Sequence, residues 1–200
     1  MKRFGMLCAL LAGALFAAQA EAQSAGQGYF GLGYGVSWSD PIPYSGTLDD
    51  SSSPAGKIYG GYMYSNWGVE MGFYSLGTYD SNLNGATVGR MKTQAITVAG
   101  VYSAPMGSAF NVRARLGIAF TDAEFSCPSG CGTLTDPDLN VDTKQHGVAP
   151  MGGFGVGAKL TQDVSVQMDW EHFGSVNHKI NNTSYSTGYD LMTLSLQFAF

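Results

Sequence analysis

Long apolar runs are nearly absent from this 200-residue sequence. After residue 22, none approaches the roughly 20 residues that a transmembrane helix requires. Charge is also scarce, because Asp, Glu, Lys and Arg together make up 12% of the residues. The formal net charge is −5, and no basic patch is present. These absences exclude a helical membrane protein, and we expect no nucleic-acid partner.

The N-terminus has the layout of a secretory signal peptide. Two basic residues precede an apolar run from Phe4 to Ala18, and small residues follow that run. The run is too short and too rich in alanine to cross a bilayer well. We therefore expect residues 1–22 to be a signal peptide, cleaved after Ala20 or Ala22, and residues 23–200 to form one domain.

Cysteine is scarce, with three residues in the whole chain. Cys8 lies inside the signal peptide, without the small residues that precede the cysteine of a lipoprotein. Cys127 and Cys131 lie in a polar stretch and are separated by Pro-Ser-Gly. An oxidising compartment favours a local disulfide between them, and a metal site would need further ligands that this segment lacks. We expect a Cys127–Cys131 disulfide that stiffens a loop.

What the sequence does have is alternation of apolar and polar residues with a period of two. In the segment 110–120, Arg113 and Arg115 oppose an uninterrupted apolar face. The same pattern recurs in weaker or equal form at 30–38, 55–64, 67–74, 91–103, 148–158, 164–171 and 192–200. Pro150 is awkward inside a strand and predicts a bulge or irregular pairing there. The sequence therefore predicts eight strands.

The connections between these strands alternate in length. Tight turns are predicted at 65–66, 105–108 and 161–163. Long polar connections are predicted at 39–54, 77–90, 121–144 and 175–188. Transmembrane barrels have short periplasmic turns, longer extracellular loops and, in bacteria, an even number of strands. Both termini are then expected in the periplasm.

Strands of this length can cross a bilayer, for which about 9–11 tilted residues suffice. In lipid no backbone amide can be left unpaired, so the sheet must close on itself. The predicted fold class is all-β: a single eight-stranded antiparallel transmembrane β-barrel with short periplasmic turns and long extracellular loops. Side chains fill the interior of a barrel of this size, which disfavours an open general pore.

Charged residues lie on the faces opposite the continuous apolar ones, and these faces would line the interior. Opposite charges could satisfy one another there, as buried ions must. The predicted interior charge network consists of Glu70, Arg113, Arg115, Asp169 and Glu171. We expect it to hold the barrel shut rather than to form an ion path. Aromatic residues near strand ends are expected at the membrane interfaces, namely Tyr29, Trp38, Tyr64, Trp67, Tyr102 and Trp170.

The last segment, "DLMTLSLQFAF", alternates apolar residues and ends in Phe198 and Phe200. Together with "VSVQMDWEHF", it resembles the final strands of outer-membrane β-barrels related to the transmembrane domain of outer membrane protein A. The resemblance implies a place in outer-membrane lipid and recognition of the C-terminal strand by the outer-membrane assembly machinery. The sequence stops at Phe200, without the periplasmic peptidoglycan-binding domain of full-length members, so tethering to the cell wall is not expected.

The favoured function is a structural or surface-interaction role, in which a rigid barrel presents four loops to an external ligand or host surface. We expect no enzyme activity and no cofactor. No metal is expected either, because the acidic residues Asp49, Asp50 and those between Asp136 and Asp142 lack the spacing of a calcium loop.

Two alternatives remain open. A lipid-modifying enzyme could use a serine, histidine and acid set near one connection, made of Glu171, His172, Ser175 and His178. In an extended strand, however, Glu171 and His172 face opposite ways. The other alternative is a soluble β-barrel that binds a small apolar ligand, which would need its apolar residues inside. The C-terminal strand and the long strands argue against it.

Overall fold

The computed structural model describes residues 26–39, 52–83, 86–126, 143–180 and 183–200. The strands are β1 Gly26–Ser39, β2 Ser52–Tyr64, β3 Trp67–Leu83, β4 Ala86–Met106, β5 Phe110–Ser126, β6 Thr143–Lys159, β7 Val164–Ile180 and β8 Thr183–Ala199. The predicted signal peptide and the predicted Cys127–Cys131 disulfide lie outside the described residues. Where the structure describes the chain, no helix is long and apolar enough to cross a membrane.

The eight strands form a closed antiparallel barrel in which β8 pairs with β1. When the register is followed from Tyr29 once around the sheet, it returns to β1 ten residues further along, at Ser39. This stagger tilts the strands and leaves an interior that side chains can fill. The predicted fold class is confirmed.

The short turns lie at residues 65–66, 107–109 and 160–163, close to the predicted positions. The predicted long connections at 77–90 and 175–188 are wrong, because strand pairing continues to Leu83↔Ala86 and to Ile180↔Thr183. Likewise, β5 and β6 extend into the predicted 121–144 connection as far as Phe125↔Thr143. Beyond the lipid, backbone pairing no longer needs an apolar outward face, so apolar alternation cannot mark where these strands end.

The outward face of the barrel is apolar. Leu116 is 76% exposed and Leu194 is 61% exposed, which are values for lipid-facing rather than core side chains. At the periplasmic end the Trp67 and Tyr102 ring centroids lie 4.6 Å apart on this surface. The prediction that Tyr29 lies at a membrane interface is wrong. Tyr29 is 1% exposed and faces the interior, on the same side of β1 as the inward glycines.

The pairing of β6 is irregular at Pro150, as the sequence predicts. On one side, Pro150 is in register with Ile118 of β5. On the other side, the β6–β7 ladder ends at Met151↔Phe173, and β7 carries a register shift immediately after Phe173. Proline has no N–H to donate to a neighbouring strand. A Cβ on Gly174 would lie 2.9 Å from Pro150 Cγ, so this contact requires a glycine.

Candidate functional site

Inward-facing glycines leave room in the middle of the barrel for long charged side chains. A Cβ on Gly155 would lie 2.1 Å from Asp169 Oδ1, and one on Gly153 would lie 2.8 Å from Glu171 Cγ. A Cβ on Gly33 would lie 3.1 Å from Lys57 Cγ. A narrow barrel can therefore hold several ions side by side only because these positions carry no side chain.

Arg115 is the centre of the buried ions. Its Nε donates to Glu70 Oε1 at 2.8 Å, and its Nη1 donates to Asp169 Oδ1 at 2.6 Å. Its Nε also lies 3.9 Å from Glu171 Oε1. The guanidinium thus joins carboxylates of β3 and β7 across the interior, and its planar set of donors suits several acceptors at once.

Lys57 is the second cation, and the sequence analysis missed it. Its Nζ donates to Asp169 Oδ2 at 2.9 Å and to Glu171 Oε2 at 2.8 Å. The predicted set had three acids and two arginines, and a closed interior with a net negative charge needs a further cation. Lys57 shares the inward face of β2 with Ala55 and Tyr59, which was the signal available. We call Lys57, Glu70, Arg115, Asp169 and Glu171 the charged cluster.

Tyrosines complete the hydrogen bonding of the charged cluster. Tyr29 donates to Glu70 Oε2 at 2.8 Å, and Tyr74 donates to Glu171 Oε1 at 2.9 Å. Lys57 Nζ lies 5.1 Å from the ring centroid of Tyr59, a cation–π contact. Each carboxylate therefore has at least two donors, which is what makes a buried ion tolerable.

Arg113 faces the interior but lies apart from the charged cluster. Its Nη1 donates to Gln197 Oε1, and its guanidinium carbon lies 5.2 Å from the ring centroid of Tyr29. Among the described residues it makes no ion pair, and its Nε has no hydrogen-bond partner. Tyr29 links Arg113 to the charged cluster, because its ring contacts Arg113 and its hydroxyl donates to Glu70.

Among the described residues, the extracellular half of the interior holds no buried charge and combines large apolar side chains with serine and threonine hydroxyls. Where a strand carries both kinds of residue, its buried apolar side chains lie farther from the periplasmic turns than its charged side chains do. We call them the upper apolar layer, and they include Leu76, Tyr79, Met91, Ala119, Met151, Phe173, Tyr189 and Leu191. Near its outer edge, the Ser37 and Tyr79 hydroxyls lie 2.7 Å apart. The interior is therefore divided into a charged part and an uncharged part.

The chemistry of this interior is that of paired ions rather than of a reactive centre. The buried charges comprise Lys57, Arg113 and Arg115 against Glu70, Asp169 and Glu171, so they balance. Within the described residues, no group of three or more His, Cys, Asp or Glu side chains could hold a metal ion.

The residues of the enzyme alternative do not share one face. Glu171 points inward to Lys57, whereas His172 points outward and its Nδ1 lies 2.9 Å from Asp190 Oδ1. Ser175 is exposed and lies in the irregular part of β7, and the side chain of His178 is outside the described residues. Glu171 is therefore unavailable to His172.

An ion pair lies on the extracellular extension of β3 and β4. Arg90 Nε donates to Asp80 Oδ1 at 2.8 Å, and Arg90 Nη2 donates to Asp80 Oδ2 at 3.0 Å. Asp80 follows Trp67 by more residues than a strand needs to cross the hydrocarbon. The hydrogen bonds from Arg90 hold the pKa of the Asp80 carboxyl below its usual value.

The C-terminal residue is part of the closure between β8 and β1. The backbone N–H of Phe200 donates to Gly28 O at 2.9 Å, and the N–H of Gly28 donates to Phe200 O at 3.0 Å. The rings of Phe198 and Phe200 are 43% and 49% exposed on the outer surface. The two predicted assembly residues thus present their rings at the periplasmic edge.

The sequence matches the model of the outer membrane protein beta-barrel domain over residues 7–200. The chain belongs to this outer membrane β-barrel family. The solved structure of Neisserial surface protein A has a TM-score of 0.61 at 12% identity, covering 88% of this chain and 98% of that one. OprG from Pseudomonas aeruginosa has a TM-score of 0.61 at 17% identity, with 88% and 96% covered.

The structure of Ail from Yersinia pestis has a TM-score of 0.54 at 15% identity, covering 88% of this chain and all (100%) of Ail. No curated protein sequence matches the chain. As a member of the outer membrane β-barrel family, the protein resides in the bacterial outer membrane. This location and the outward apolar face exclude the soluble ligand-binding barrel.

Proposed function

We propose that this outer membrane β-barrel is a non-enzymatic, non-conducting scaffold that presents its extracellular connections to an external ligand or host surface. The observation that carries the proposal is the filled interior. Asp169 and Glu171 of the charged cluster and Phe173 of the upper apolar layer are each at most 1% exposed. Both parts of the interior are therefore closed to solvent. A hydrated ion would have to displace both the paired charges and the apolar side chains above them.

The long pairs β3–β4 and β7–β8 support the surface role. Both pairs continue past the length that crosses the hydrocarbon, so they carry their connections away from the bilayer. A rigid scaffold that holds connecting segments in water is the usual setting of a binding surface. Partners are then expected to contact these ends, while the C-terminal strand serves the assembly machinery and the apolar face contacts lipid.

Conductance tests the scaffold part of the proposal. The mature chain, refolded into planar bilayers, is expected to give no steady current, and vesicles that contain it are expected not to swell in small sugars. Empty vesicles are the matched control. A stable conductance would overturn the proposal, because it would require a continuous water path through the charged cluster and the upper apolar layer.

Adhesion tests the surface part. Ail has been solved in complex with the heparin analogue sucrose octasulfate, which makes immobilised heparin and cultured host cells suitable probes. Cells that display the protein are compared with cells in which residues 127–142 are replaced by a short Gly-Ser linker. We expect lower binding for the replacement at equal surface expression. Equal binding by both, or none above cells that lack the protein, would contradict the proposal.

A further inference from the structure

The outer surface carries a groove across β3, β4, β5 and β6 with a volume of about 540 Å³. This volume lies within the range of sites that hold small molecules. The floor is a row of outward apolar side chains in direct register, namely Phe73, Ile96, Phe120 and Val148. Four neighbouring strands therefore build one apolar surface on the lipid side of the barrel.

The next outward row toward the extracellular side is polar. It contains Gln94, Asp122 and His146, which also line the groove and are again in register. The row beyond it is charged, with Lys92, Glu124 and Lys144 on the same three strands. The surface thus changes from apolar to polar to charged over three successive outward positions, so the groove crosses the boundary between hydrocarbon and headgroups in the outer leaflet.

The polar row holds an unused acceptor. Among the described residues Asp122 Oδ1 has no hydrogen-bond partner, and His146 Nδ1, which lies 3.6 Å away, is beyond hydrogen-bond distance. The Asp122 side chain is 34% exposed, so a hydroxyl or amine from outside the protein can approach this carboxylate and would stabilise it.

The charged row supplies cations at the level of a phosphate. Lys92 is exposed and makes no ion pair among the described residues. Lys144 is 3.7 Å from Glu124 Oε2, and both side chains are more than half exposed, so this pair is weak and can rearrange. Lysine is a common partner of phosphate groups in proteins.

We propose that this groove binds a phosphorylated glycolipid of the outer leaflet. Its acyl chain lies on the row of Phe120, its sugar hydroxyls donate to Asp122 and Gln94, and its phosphate contacts Lys92 and Lys144. A water-soluble ligand would leave the apolar floor unused, and a simple hydrocarbon would leave the polar row unpaired. An amphiphile uses both rows.

Lipid retention tests this proposal. The mature chain is refolded into vesicles that contain phosphatidylethanolamine, phosphatidylglycerol and a phosphorylated diglucosamine acyl lipid, and is then extracted into mild detergent. Native mass spectrometry counts the lipids that remain bound. We expect retention of the phosphorylated glycolipid to exceed that of its dephosphorylated form and of either phospholipid by about tenfold.

The variants separate the groove from the rest of the lipid-facing surface. Gln94→Trp fills the groove, and Lys92→Glu with Lys144→Glu removes the phosphate contacts. The controls are Leu194→Trp, which places the same large ring on the lipid-facing surface of β8 outside the groove, and Lys159→Glu, which reverses the charge of an exposed lysine near the periplasmic end. Heat-modifiable gel mobility and circular dichroism select the variants that form the barrel.

Among folded variants, loss of retention of about tenfold in Gln94→Trp and in the lysine double variant, with normal retention in both controls, would support the groove. Equal retention in Gln94→Trp and the parent would overturn it. Equal loss in Leu194→Trp, or equal retention of phospholipid and glycolipid by the parent, would show only a general lipid layer and would also overturn it.

Discussion

At the scale of single residues, two cations, Lys57 and Arg115, hold the three carboxylates of the charged cluster together. Alternation placed Glu70, Arg115, Asp169 and Glu171 on inward faces, and these four side chains meet in the structure. Lys57 was missed, although its strand was predicted, because the faces of that strand are less cleanly divided in the sequence. Which buried charges pair depends on the stagger between neighbouring strands and on the inward glycines that make room for them. The alternation within a single strand shows neither.

Lys57 offers the sharpest test at this scale. Lys57→Met keeps much of the side-chain volume but leaves Asp169 and Glu171 with one cation fewer, so we expect a loss of about 3–5 kcal/mol in the free energy of unfolding. Urea unfolding in lipid vesicles measures it. Lys159→Met, at an exposed position, is the matched control and is expected to stay within about 0.5 kcal/mol of the parent.

A second variant separates charge from packing. Lys57→Met combined with Glu171→Gln restores charge balance while keeping an acceptor for the Tyr74 hydroxyl. We expect the double variant to be more stable than Lys57→Met alone, because the uncompensated carboxylate is gone. If Lys57→Met were no more costly than Lys159→Met, the ion pairs of Lys57 would contribute nothing to stability.

At the scale of strands, the sequence predicted all eight strands but not their outer ends. The period-two pattern covers the part of each strand that faces lipid. Strands β3, β4, β7 and β8 continue beyond the bilayer, where either face can be polar. Pro150 was the exception, because a missing backbone donor has a local consequence that the sequence shows directly. The pairing between β6 and β7 ends next to Pro150, at Met151.

The end of the β6–β7 ladder predicts uneven amide protection. In the described residues the β6–β7 ladder ends at Met151 and β6 continues its pairing with β5, whereas the facing part of β5 pairs with both β4 and β6. We expect amides in residues 144–149 to exchange at least about tenfold faster than those in 119–124. Hydrogen–deuterium exchange in lipid nanodiscs measures both segments in one sample. Similar protection in the two segments would mean that β6 and β7 remain paired through Pro150.

At the scale of the whole molecule, the last residue adds to the closure between β8 and β1. Deleting Phe200 removes two backbone hydrogen bonds to Gly28, so we expect the refolded barrel to lose about 1–3 kcal/mol of stability in vesicles. Phe200→Ser keeps the backbone and loses only an exposed ring. It is expected to refold in vesicles like the parent, yet to reach the outer membrane of cells in smaller amounts.

The comparison of these two variants separates closure from recognition. Heat-modifiable mobility reports the fraction folded in vesicles, and surface labelling reports the fraction assembled in cells. Normal assembly of Phe200→Ser would argue against a role for the terminal ring in recognition. Normal stability of the deletion would show that β8 and β1 close without the last pair of hydrogen bonds.

Because the interior is divided in this way, the surroundings of the charged cluster differ between its extracellular and its periplasmic side. The upper apolar layer is a stretch of low dielectric between the charged cluster and the extracellular medium. Toward the periplasm the interior ends instead in polar side chains such as Asn111 and Ser165, which are partly exposed. We therefore expect protons and salt ions to approach the charged cluster more readily from the periplasmic side than from the extracellular side.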